Sequence, residues 1–428
     1  MTNYLVSGIV FAASFAGILA GRVHRAILGM AGAVLMVLLG LALGFYSQEQ
    51  ALQAIDFNTL GLLLGMMVLV SMLKRTGLFE YLAILTAKRT GGNPWFLLVT
   101  LGTVTTVASL FLDNVTTVIL IAPVTILVAE LLGINPIPLL MAEALLSDTG
   151  GVATLVGDPP NILIGSAAGL SFLDFLVNVG PIVLVAWLLT LFLLRLLFRR
   201  ELAQGPTNVE TLAGLDENEA LKDRKAATRI LVVLLAVILL FFVHHTLHLQ
   251  AGFVALMGAA AALLWLQPNV EEVLHGIEWH VLLFFAALFV IVGGVEASGL
   301  LELIGERLTR LATQDLIVTG VVLIWVAAIV SAIVDNIPFT IAMIPLVQEL
   351  GGTGMDITPL WWALALGAGF GGNGTPIGST ANIVVFSLSE KTKTPITTRI
   401  WLKNGLPVMV ATCVVATLLF ILRYGILE

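Results

Sequence analysis

The chain has 428 residues, of which 59% are hydrophobic and only 11% are charged, and its mean hydropathy is +1.05. A soluble domain carries about 25% charged residues, so this composition excludes the soluble classes and predicts an all-α polytopic membrane protein. An outer-membrane barrel is rejected because strands of about 10 residues with alternating polarity do not occur. The single cysteine, Cys413, excludes an intramolecular disulfide and a multi-cysteine metal site. The net charge of −7 indicates no partner.

Apolar runs predict the membrane-spanning helices, since about 20 apolar residues cross a bilayer. The N-terminal run lacks a preceding basic segment and is interpreted as a retained helix. Predicted spans lie near 3–21, 26–46, 57–73, 174–198, 229–247, 250–267, 279–297 and 404–424. Two further spans are broken, 137–172 and 358–389, and two apolar pairs, 94–132 and 315–350, are interrupted in the middle.

The basic residues predict the orientation in the membrane. Of the 20 lysines and arginines, 17 fall on one side of this topology, and Arg307, Arg310 and Arg423 fall on the other. The positive-inside rule makes the larger group cytoplasmic, which places both termini outside the inner membrane. The polar stretch 200–228 is then a cytoplasmic linker. The 17 residues are Arg22, Arg25, Lys74, Arg75, Lys88, Arg89, Arg195, Arg199, Arg200, Lys222, Arg224, Lys225, Arg229, Lys391, Lys393, Arg399 and Lys403.

The two halves of the chain resemble each other. A shift of 222 residues aligns Asp113-Asn114 with Asp335-Asn336, and a shift of 221 aligns GGVATLVGDPPN with GGNGTPIGSTAN. The sequence therefore predicts a first repeat at 1–199 and a second repeat at 229–428. Each half makes five crossings, an odd number, so the repeats are expected to be inverted. Inverted repeats with broken helices are typical of transporters whose site lies near the bilayer midplane.

Helix-breaking residues stand where packed helix or lipid is expected. Pro159, Pro160 and the neighbouring glycines of GGVATLVGDPPNILIG predict an unwound loop at 150–161, and 371–382 is its counterpart. Irregular backbone at membrane depth survives only where protein or a water-filled cavity surrounds it. Loop carbonyls and the positive end of the half-helix 162–172 could coordinate a cation or a polar solute. The Asp-Asn pairs are interpreted as tips of re-entrant hairpins; the alternative is two full spans joined by a turn in water.

Four acidic residues lie on these broken elements: Asp113, Asp148, Asp158 and Asp335. An ionisable group at membrane depth costs roughly 3 kcal/mol, which predicts a counter-ion or a titration role. The alternative for Asp158 is helix capping, and for Asp148 it is polarity at a helix end. No lysine or arginine lies in the four elements. Such a site suits a cation, a proton or a neutral solute, whereas a dicarboxylate would need sodium ions or helix ends.

Together these motifs resemble the ion transporter superfamily, and within it the group of ArsB-type arsenite permeases, D-type (NhaD-like) sodium/proton antiporters and the melanosomal P protein. The resemblance implies a scaffold part and a transport part, with two hairpins and two unwound helices meeting at the site. Our own expectation is that Asp113 and Asp335 take and release the coupling proton as the site alternates sides. The ion- and solute-binding residues expected at the tips and loops are Asp113, Asn114, Thr116, Thr117, Asp148, Gly150, Gly151, Thr154, Gly157, Asp158, Asn161, Asp335, Asn336, Gly371, Gly372, Asn373, Thr375, Gly378, Ser379 and Asn382.

Three functions are compatible with this site. The first is proton-coupled efflux of arsenite and antimonite, whose neutral hydroxides would be bound by Asn114, Thr117, Asn336 and loop backbone. The second is sodium/proton antiport, and the third is sodium-coupled carboxylate symport. No nucleophile–base pair or nucleotide loop is evident, so an enzyme is not expected. No cofactor is expected beyond H⁺ or Na⁺ as coupling ion, and no nucleic acid is a partner. Expected partners are a small inorganic solute or cation, the bilayer, a second copy of the chain and, for an arsenite permease, a soluble ATPase.

Overall fold

A computed structural model describes residues 2–20, 23–208, 216–300, 303, 315–334, 336–351 and 355–426. Asp335, one of the predicted site residues, lies outside the described residues, as do Arg22, Arg307 and Arg310. Throughout the described ranges the chain forms helices and their connections, with no strand. The predicted all-α class is therefore confirmed.

The first half contains twelve helices before the linker, counted over the described residues. Prolines begin several of them, because the first turn of a helix needs no N–H from proline. The helices are α1 (Thr2–Ala20), α2 (Arg25–Leu43), α3 (Gln48–Gln53), α4 (Phe57–Arg75), α5 (Leu78–Arg89), α6 (Pro94–Ser109), α7 (Asn114–Leu132), α8 (Ile137–Gly151), α9 (Pro159–Ala168), α10 (Phe172–Asn178), α11 (Gly180–Leu197) and α12 (Arg199–Leu202).

After the linker, the described helices of the second half follow the same general order as those of the first half. One short helix, α13 (Glu217–Ala220), lies in the linker and is joined to α5 by an ion pair between Lys88 and Glu217, 2.5 Å apart. The remaining helices are α14 (Arg224–Val243), α15 (Ala251–Leu266), α16 (Val270–His275), α17 (Trp279–Ala297), α18 (Leu316–Ile333), α19 (Asn336–Gly351), α20 (Thr358–Gly372), α21 (Thr380–Ser389) and α22 (Thr398–Ile421), with a final π-helical turn at Leu422–Ile426.

Eight helices among the described residues are long and apolar enough to cross a membrane, or nine if the bent pair α9–α10 counts as one span. Their outer faces are apolar. On α11, Leu184, Leu188 and Phe192 recur at helical spacing, and each is more than half exposed. An exposed apolar stripe of this kind faces lipid, because in water it would be buried. The chain is a multi-pass membrane protein.

The packing repeats between the halves. Helix α4 packs on α15 and α17 packs on α2, while α6 packs on α8 and α18 packs on α20. Each half-helix also crosses to the other half, because α9 packs on α19 and α21 packs on α7. Corresponding pairs of helices thus pack together in both halves, and the two inverted repeats stay a prediction.

Several predicted bounds differ from the structure by a few residues, and one of these differences lies in the site. The half-helix after GDPPN was expected at 162–172, but α9 begins at Pro159 and ends at Ala168, and α10 follows at an angle of 111°. Pro159 and Pro160 occupy the first helical turn, where a missing N–H breaks no helical hydrogen bond. The unwound segment is therefore shorter than expected, and the polar loop ends at Asp158.

Candidate functional site

The loop between α8 and α9, residues 152–158, is called the first loop. Its shape is fixed by two side chains from its own sequence. Thr154 donates its hydroxyl to the carbonyl of Leu110, at the end of α6, over 2.5 Å. Asn161 donates its amide to the carbonyls of Val152 and Thr154 over 3.0 and 2.8 Å. These bonds pair loop carbonyls that would otherwise be unpartnered in the membrane interior.

Glycine is required where the first loop closes on itself. A Cβ on Gly157 would lie 2.5 Å from the Gly151 carbonyl oxygen and 2.6 Å from that of Ser109. Both neighbours are backbone atoms and cannot move aside as a flexible side chain would. The paired glycines of this motif therefore allow the two ends of the loop to touch.

The loop between α20 and α21, residues 373–379, is called the second loop and repeats these contacts. Thr375 donates to the carbonyl of Ala332, at the end of α18, and Asn382 donates to the carbonyls of Gly372 and Thr375 over 2.8 and 3.1 Å. A Cβ on Gly378 would lie 2.5 Å from the Gly372 carbonyl oxygen. The repeat seen in the sequence thus encodes the same loop twice.

The two loops and the N-terminal ends of α7 and α19 meet at a pair of buried acids. The amide of Asn114 lies 2.8 Å from Asp148 Oδ1 and 3.5 Å from Asp158 Oδ1, and so bridges the two carboxylates. Asp148 and Asp158 are 2% and 1% exposed. From the second half, Asn336 reaches Asp158 at 3.4 Å and Ser379 donates to Asp148 over 3.0 Å. These five residues are called the acid cluster.

Proline explains why Asp158 faces the acid cluster. Asp158 occupies the N-cap position of α9, where an aspartate normally accepts hydrogen bonds from the first backbone N–H groups. Pro159 and Pro160 supply no such N–H, the N–H of Asn161 donates to the Asp158 backbone carbonyl over 2.9 Å, and the side chain of Asp158 makes no capping hydrogen bond. Its carboxylate accepts instead from Asn114 and Asn336. The alternative in which Asp158 caps the half-helix does not describe its contacts.

The remaining polar residues extend this arrangement. Asn373, in the second loop, donates its amide to the Thr149 hydroxyl over 2.9 Å. Five buried amide and hydroxyl oxygens on the broken elements have no hydrogen-bond partner among the described residues. They belong to Asn114, Thr117, Asn161, Asn373 and Asn382. Buried oxygens of this kind are normally satisfied, and amide, hydroxyl and carboxylate oxygens are the ligands that hard cations prefer.

Most of the predicted site residues fall into two groups. The acid cluster unites Asn114, Asp148, Asp158, Asn336 and Ser379, while other predicted residues shape the loops: Gly150, Gly151, Thr154, Gly157, Asn161, Gly371, Gly372, Asn373, Thr375, Gly378 and Asn382. Thr117 lies three residues after Asn114 on α7 and is also buried.

Asp113 and Thr116 have a different role in this structure. Asp113 caps α7 by accepting from the Thr116 amide over 2.8 Å and from its hydroxyl over 2.5 Å. Its side chain borders a small apolar space lined by residues of α4, among them Met66 and Val70. The hydrogen bonds of Asp113 with Thr116 therefore lie outside the acid cluster. The proton-coupling role of Asp113 stays a prediction, as does that of Asp335.

Two contacts of the site were missed by sequence reasoning. Thr149 lies between two predicted site residues, Asp148 and Gly150, and could have been included on that ground. Arg25 belongs to α2, yet its guanidinium donates to the Thr380 hydroxyl, the residue after Ser379, over 2.9 Å. The two residues are 355 apart in the chain, and no sequence signal connects them.

A cavity with four polar residues in a mostly apolar lining lies beside the broken elements. Its volume is about 290 Å³, and it is bordered by Ser166 of α9, Gln348 of α19, Asp56 and Glu296. Helix α9 runs from Asp158 to this cavity, and eight residues of helix span about 12 Å. The cavity therefore lies one short half-helix away from the acid cluster.

The fold and the site define a class of protein: a multi-pass secondary transporter with buried acids at the meeting point of two broken helices. The family model described as citrate transporter (CitMHS) matches residues 15–367, and the chain belongs to this family. The wider resemblance to the ion transporter superfamily is confirmed.

Relatives extend over nearly the whole chain. The "46 kDa membrane protein" of Mycobacterium leprae is 41% identical over 98% of both chains. The human P protein is 32% identical over 97% of this chain and 59% of its own length. The crystal structure of the Alcanivorax borkumensis YdaH transporter, titled as having an unusual topology, has a TM-score of 0.63 at 16% identity and covers 94% of this chain and 99% of that one. This likeness concerns the fold alone.

Proposed function

We propose that this transporter exchanges Na⁺ for H⁺ at the acid cluster. The observation that carries the proposal is the convergence of two buried carboxylates, Asp148 and Asp158, with unpartnered amide and hydroxyl oxygens. Two ionised carboxylates in a membrane interior need compensating positive charge. Sodium ions or protons can supply it, but the same oxygen cannot bind both at once.

Competition between the two cations is the physical basis of the exchange. When the cluster is deprotonated, its carboxylate and amide oxygens can surround Na⁺; when it is protonated, the charge that attracts Na⁺ is removed. If the cluster faces the two sides of the membrane in turn, each cation leaves in exchange for the other. Both acids come from the first half, while Asn336 and Ser379 come from the second, so relative movement of the halves alters the cluster.

The cavity bordered by Ser166 and Gln348 is proposed as the vestibule through which cations approach. It lies at the far ends of α9 and α19 from Asp158 and Asn336, and Asp56 and Glu296 give it negative charge. In the orientation predicted from the basic residues, with both termini outside the inner membrane, this vestibule faces away from the cytoplasm. That orientation, the inverted repeats and a homodimer are part of the proposal.

A second candidate is transport of a carboxylate solute coupled to the same cations. It is favoured by the description of the family as citrate transporters and by Arg25, which brings a guanidinium to the second loop. The planar fork of arginine suits a carboxylate. The broken elements themselves carry no cation, so a carboxylate would be held between Arg25 and the bound sodium ion. The third candidate is proton-coupled efflux of arsenite, and the same experiment tests it.

The experiment uses the purified full chain in proteoliposomes with a pH-sensitive dye inside. A sodium gradient is expected to drive proton movement in the opposite direction without another solute. Radioactive citrate and arsenite are then offered under the same gradients. Sodium-driven citrate accumulation would establish the second candidate, and proton-driven arsenite movement would establish the third. Absence of any sodium-dependent proton flux or sodium binding would overturn the proposed exchange.

A further inference from the structure

One buried acid of the transport elements takes no part in the acid cluster. Glu143 lies in the middle of α8, five residues before Asp148, and is fully buried. Its Oε1 accepts a hydrogen bond from the Thr125 hydroxyl on α7. Its other oxygen, Oε2, has no hydrogen-bond partner among the described residues. A carboxyl group therefore lies between two helices with a single hydroxyl as its partner.

The charges around Glu143 do not compensate a carboxylate. Of the helices that pack on α8, the described parts of α6, α20 and α21 carry no titratable side chain. Helix α11 carries Arg195, which lies over the Trp95 ring at 5.0 Å. The other titratable groups are Asp148 on α8 itself, Asp113 and the exposed Glu130 on α7, and exposed Arg399 and Lys403 with buried Cys413 on α22.

An ionised Glu143 would thus be a buried charge without a cationic partner. The cost of such a group is several kcal/mol, and it is normally avoided by binding a proton. A neutral carboxylic acid needs only hydrogen bonds, and Thr125 can both donate and accept. The surroundings of Glu143 therefore favour the form that carries a proton.

The second half shows that the fold does not need this acid. The repeat offsets place Val347 at the position of Thr125 and Leu364 at that of Glu143, and both are buried aliphatic residues. Helix α19 packs on α20, and neither of these two positions carries a polar side chain. A polar pair kept in one half at a desolvation cost, and absent from the other, points to a task beyond packing.

We propose that Glu143 is a proton-binding site of this transporter, separate from the acid cluster. It holds a proton while α7 packs on α8, as in this structure, and releases it to water when the hairpin α6–α7 moves and exposes Oε2. The O–H bond of the acid breaks, the proton passes to water and a carboxylate remains until a proton returns. This proposal rests on the proposed cation-coupled transport for its exchange step, and the bound proton itself can be tested without transport.

The first test is infrared spectroscopy of the purified full chain in lipid over a pH titration. A protonated carboxylic acid has its own carbonyl stretching band. We expect a band that persists when surface carboxyl groups have ionised, and that Glu143→Gln removes. The matched control, Glu130→Gln, changes an exposed acid on α7 and keeps the band. A spectrum of Glu143→Gln identical to that of the unaltered protein would overturn the proposal.

The second test measures the protons moved per sodium ion in proteoliposomes. Glu143→Gln is expected to keep sodium transport, to move one proton fewer per cycle and to flatten the pH profile. If Glu143→Gln does not fold, the double variant Thr125→Val/Glu143→Leu is used in its place, because it copies the two residues found in the second half. An unchanged proton count and pH profile would show that the proton never leaves, which overturns the exchange step. Lack of sodium flux in the unaltered protein would contradict the proposed function. The infrared band would still show whether Glu143 binds a proton.

Discussion

Ser379 donates its hydroxyl to Asp148 over 3.0 Å, although the two residues are 231 positions apart. Asn336 makes the equivalent crossing to Asp158. Each acid of the acid cluster therefore accepts a hydrogen bond from a donor of the second half. Because the donors are neutral, they orient the carboxylates without cancelling their charge, which leaves that charge available to a cation.

The first prediction concerns this charge. Asp148→Asn and Asp158→Asn keep the side-chain volume but remove the anionic oxygen that would bind Na⁺. Hydrogen bonds and ligand contacts to a charged group contribute about 1.5–3 kcal/mol, so sodium affinity should fall about 10- to 100-fold. Binding of radioactive sodium to the purified protein measures this. Asp216→Asn, which alters an exposed acid of the linker, serves as the control. Unchanged sodium affinity in both cluster variants would remove the acids from the site.

The second prediction concerns the close contact inside the first loop. Gly157→Ala would bring a Cβ to within 2.6 Å of two backbone carbonyl oxygens. Overpacking of this kind costs about 1–3 kcal/mol, and here the backbone must move. We expect a lower unfolding temperature in detergent and loss of transport. Gly205→Ala is the matched control, because nothing lies within 4 Å of the position of its Cβ. Equal stability of the two variants would contradict the close contact.

The third prediction uses the repeat. Asn161→Ala and Asn382→Ala each remove an amide that bridges the carbonyls of its own loop. An unpaired buried polar group costs about 1–3 kcal/mol, so each variant should unfold at a lower temperature and by a similar amount. Asn218→Ala, in the exposed part of the linker, should have no effect. A loss confined to one of the two loops would mean that they are not structural equivalents.

The sequence predicted which segments meet, because the repeated motifs carry proline, glycine and Asp-Asn in corresponding places. It could not tell which aspartate faces the cluster. Asp113 and Asp158 both stand one residue before a helix, and both are N-cap residues. The difference lies in the next residues. Thr116, the third residue after Asp113, donates its N–H and its hydroxyl to that carboxylate. After Asp158 the first two helical residues are prolines, which have no N–H, and the N–H of the third, Asn161, donates to the Asp158 backbone carbonyl over 2.9 Å.

Other features needed the tertiary structure. The contact of Arg25 with Thr380 joins segments far apart in the chain and belongs to no motif. The start of α9 also differs from the predicted one, because a proline can begin a helix as well as end one, and Pro159 begins α9. Periodicity and composition predict elements and their lipid-facing sides, but not which side chain of α2 reaches across to α21.

The fourth prediction concerns pH. Glu278 precedes α17, and burial together with the negative charge of Asp113 raises its pKa from 4.5 to about 7, against the opposing effect of Arg25 and Lys74. Between these two values the folded protein holds a proton that the unfolded chain has released. Stability should therefore fall as the pH rises across this window and level off above it.

Glu278→Gln removes this titration and should flatten that part of the pH profile. Thermal unfolding of the purified protein in detergent, measured across the window, tests the expectation. Glu271→Gln changes an exposed acid on α16 and should keep the slope. A slope of the same size in Glu278→Gln would assign the pH dependence to another group.

The last prediction separates the two candidate functions. If a carboxylate solute is bound, Arg25→Gln removes the guanidinium at the second loop and should raise the half-saturating citrate concentration about tenfold or more, since a charge-assisted bond contributes about 1.5–3 kcal/mol. Sodium affinity should stay unchanged, because the acid cluster keeps its ligands. The control is Arg229→Gln, since Arg229 lies over Trp265 at 5.6 Å much as Arg25 lies over Phe284 at 5.4 Å.

Each result has a distinct meaning for Arg25. A loss confined to citrate means that Arg25 pairs with the solute, and supports carboxylate transport. Equal losses for citrate and sodium would mean that the bond to Thr380 holds the second loop in place, because a displaced loop also moves Ser379 away from Asp148. Arg25→Lys then distinguishes charge from shape: a lysine keeps the positive charge but lacks the planar fork that binds a carboxylate through two hydrogen bonds.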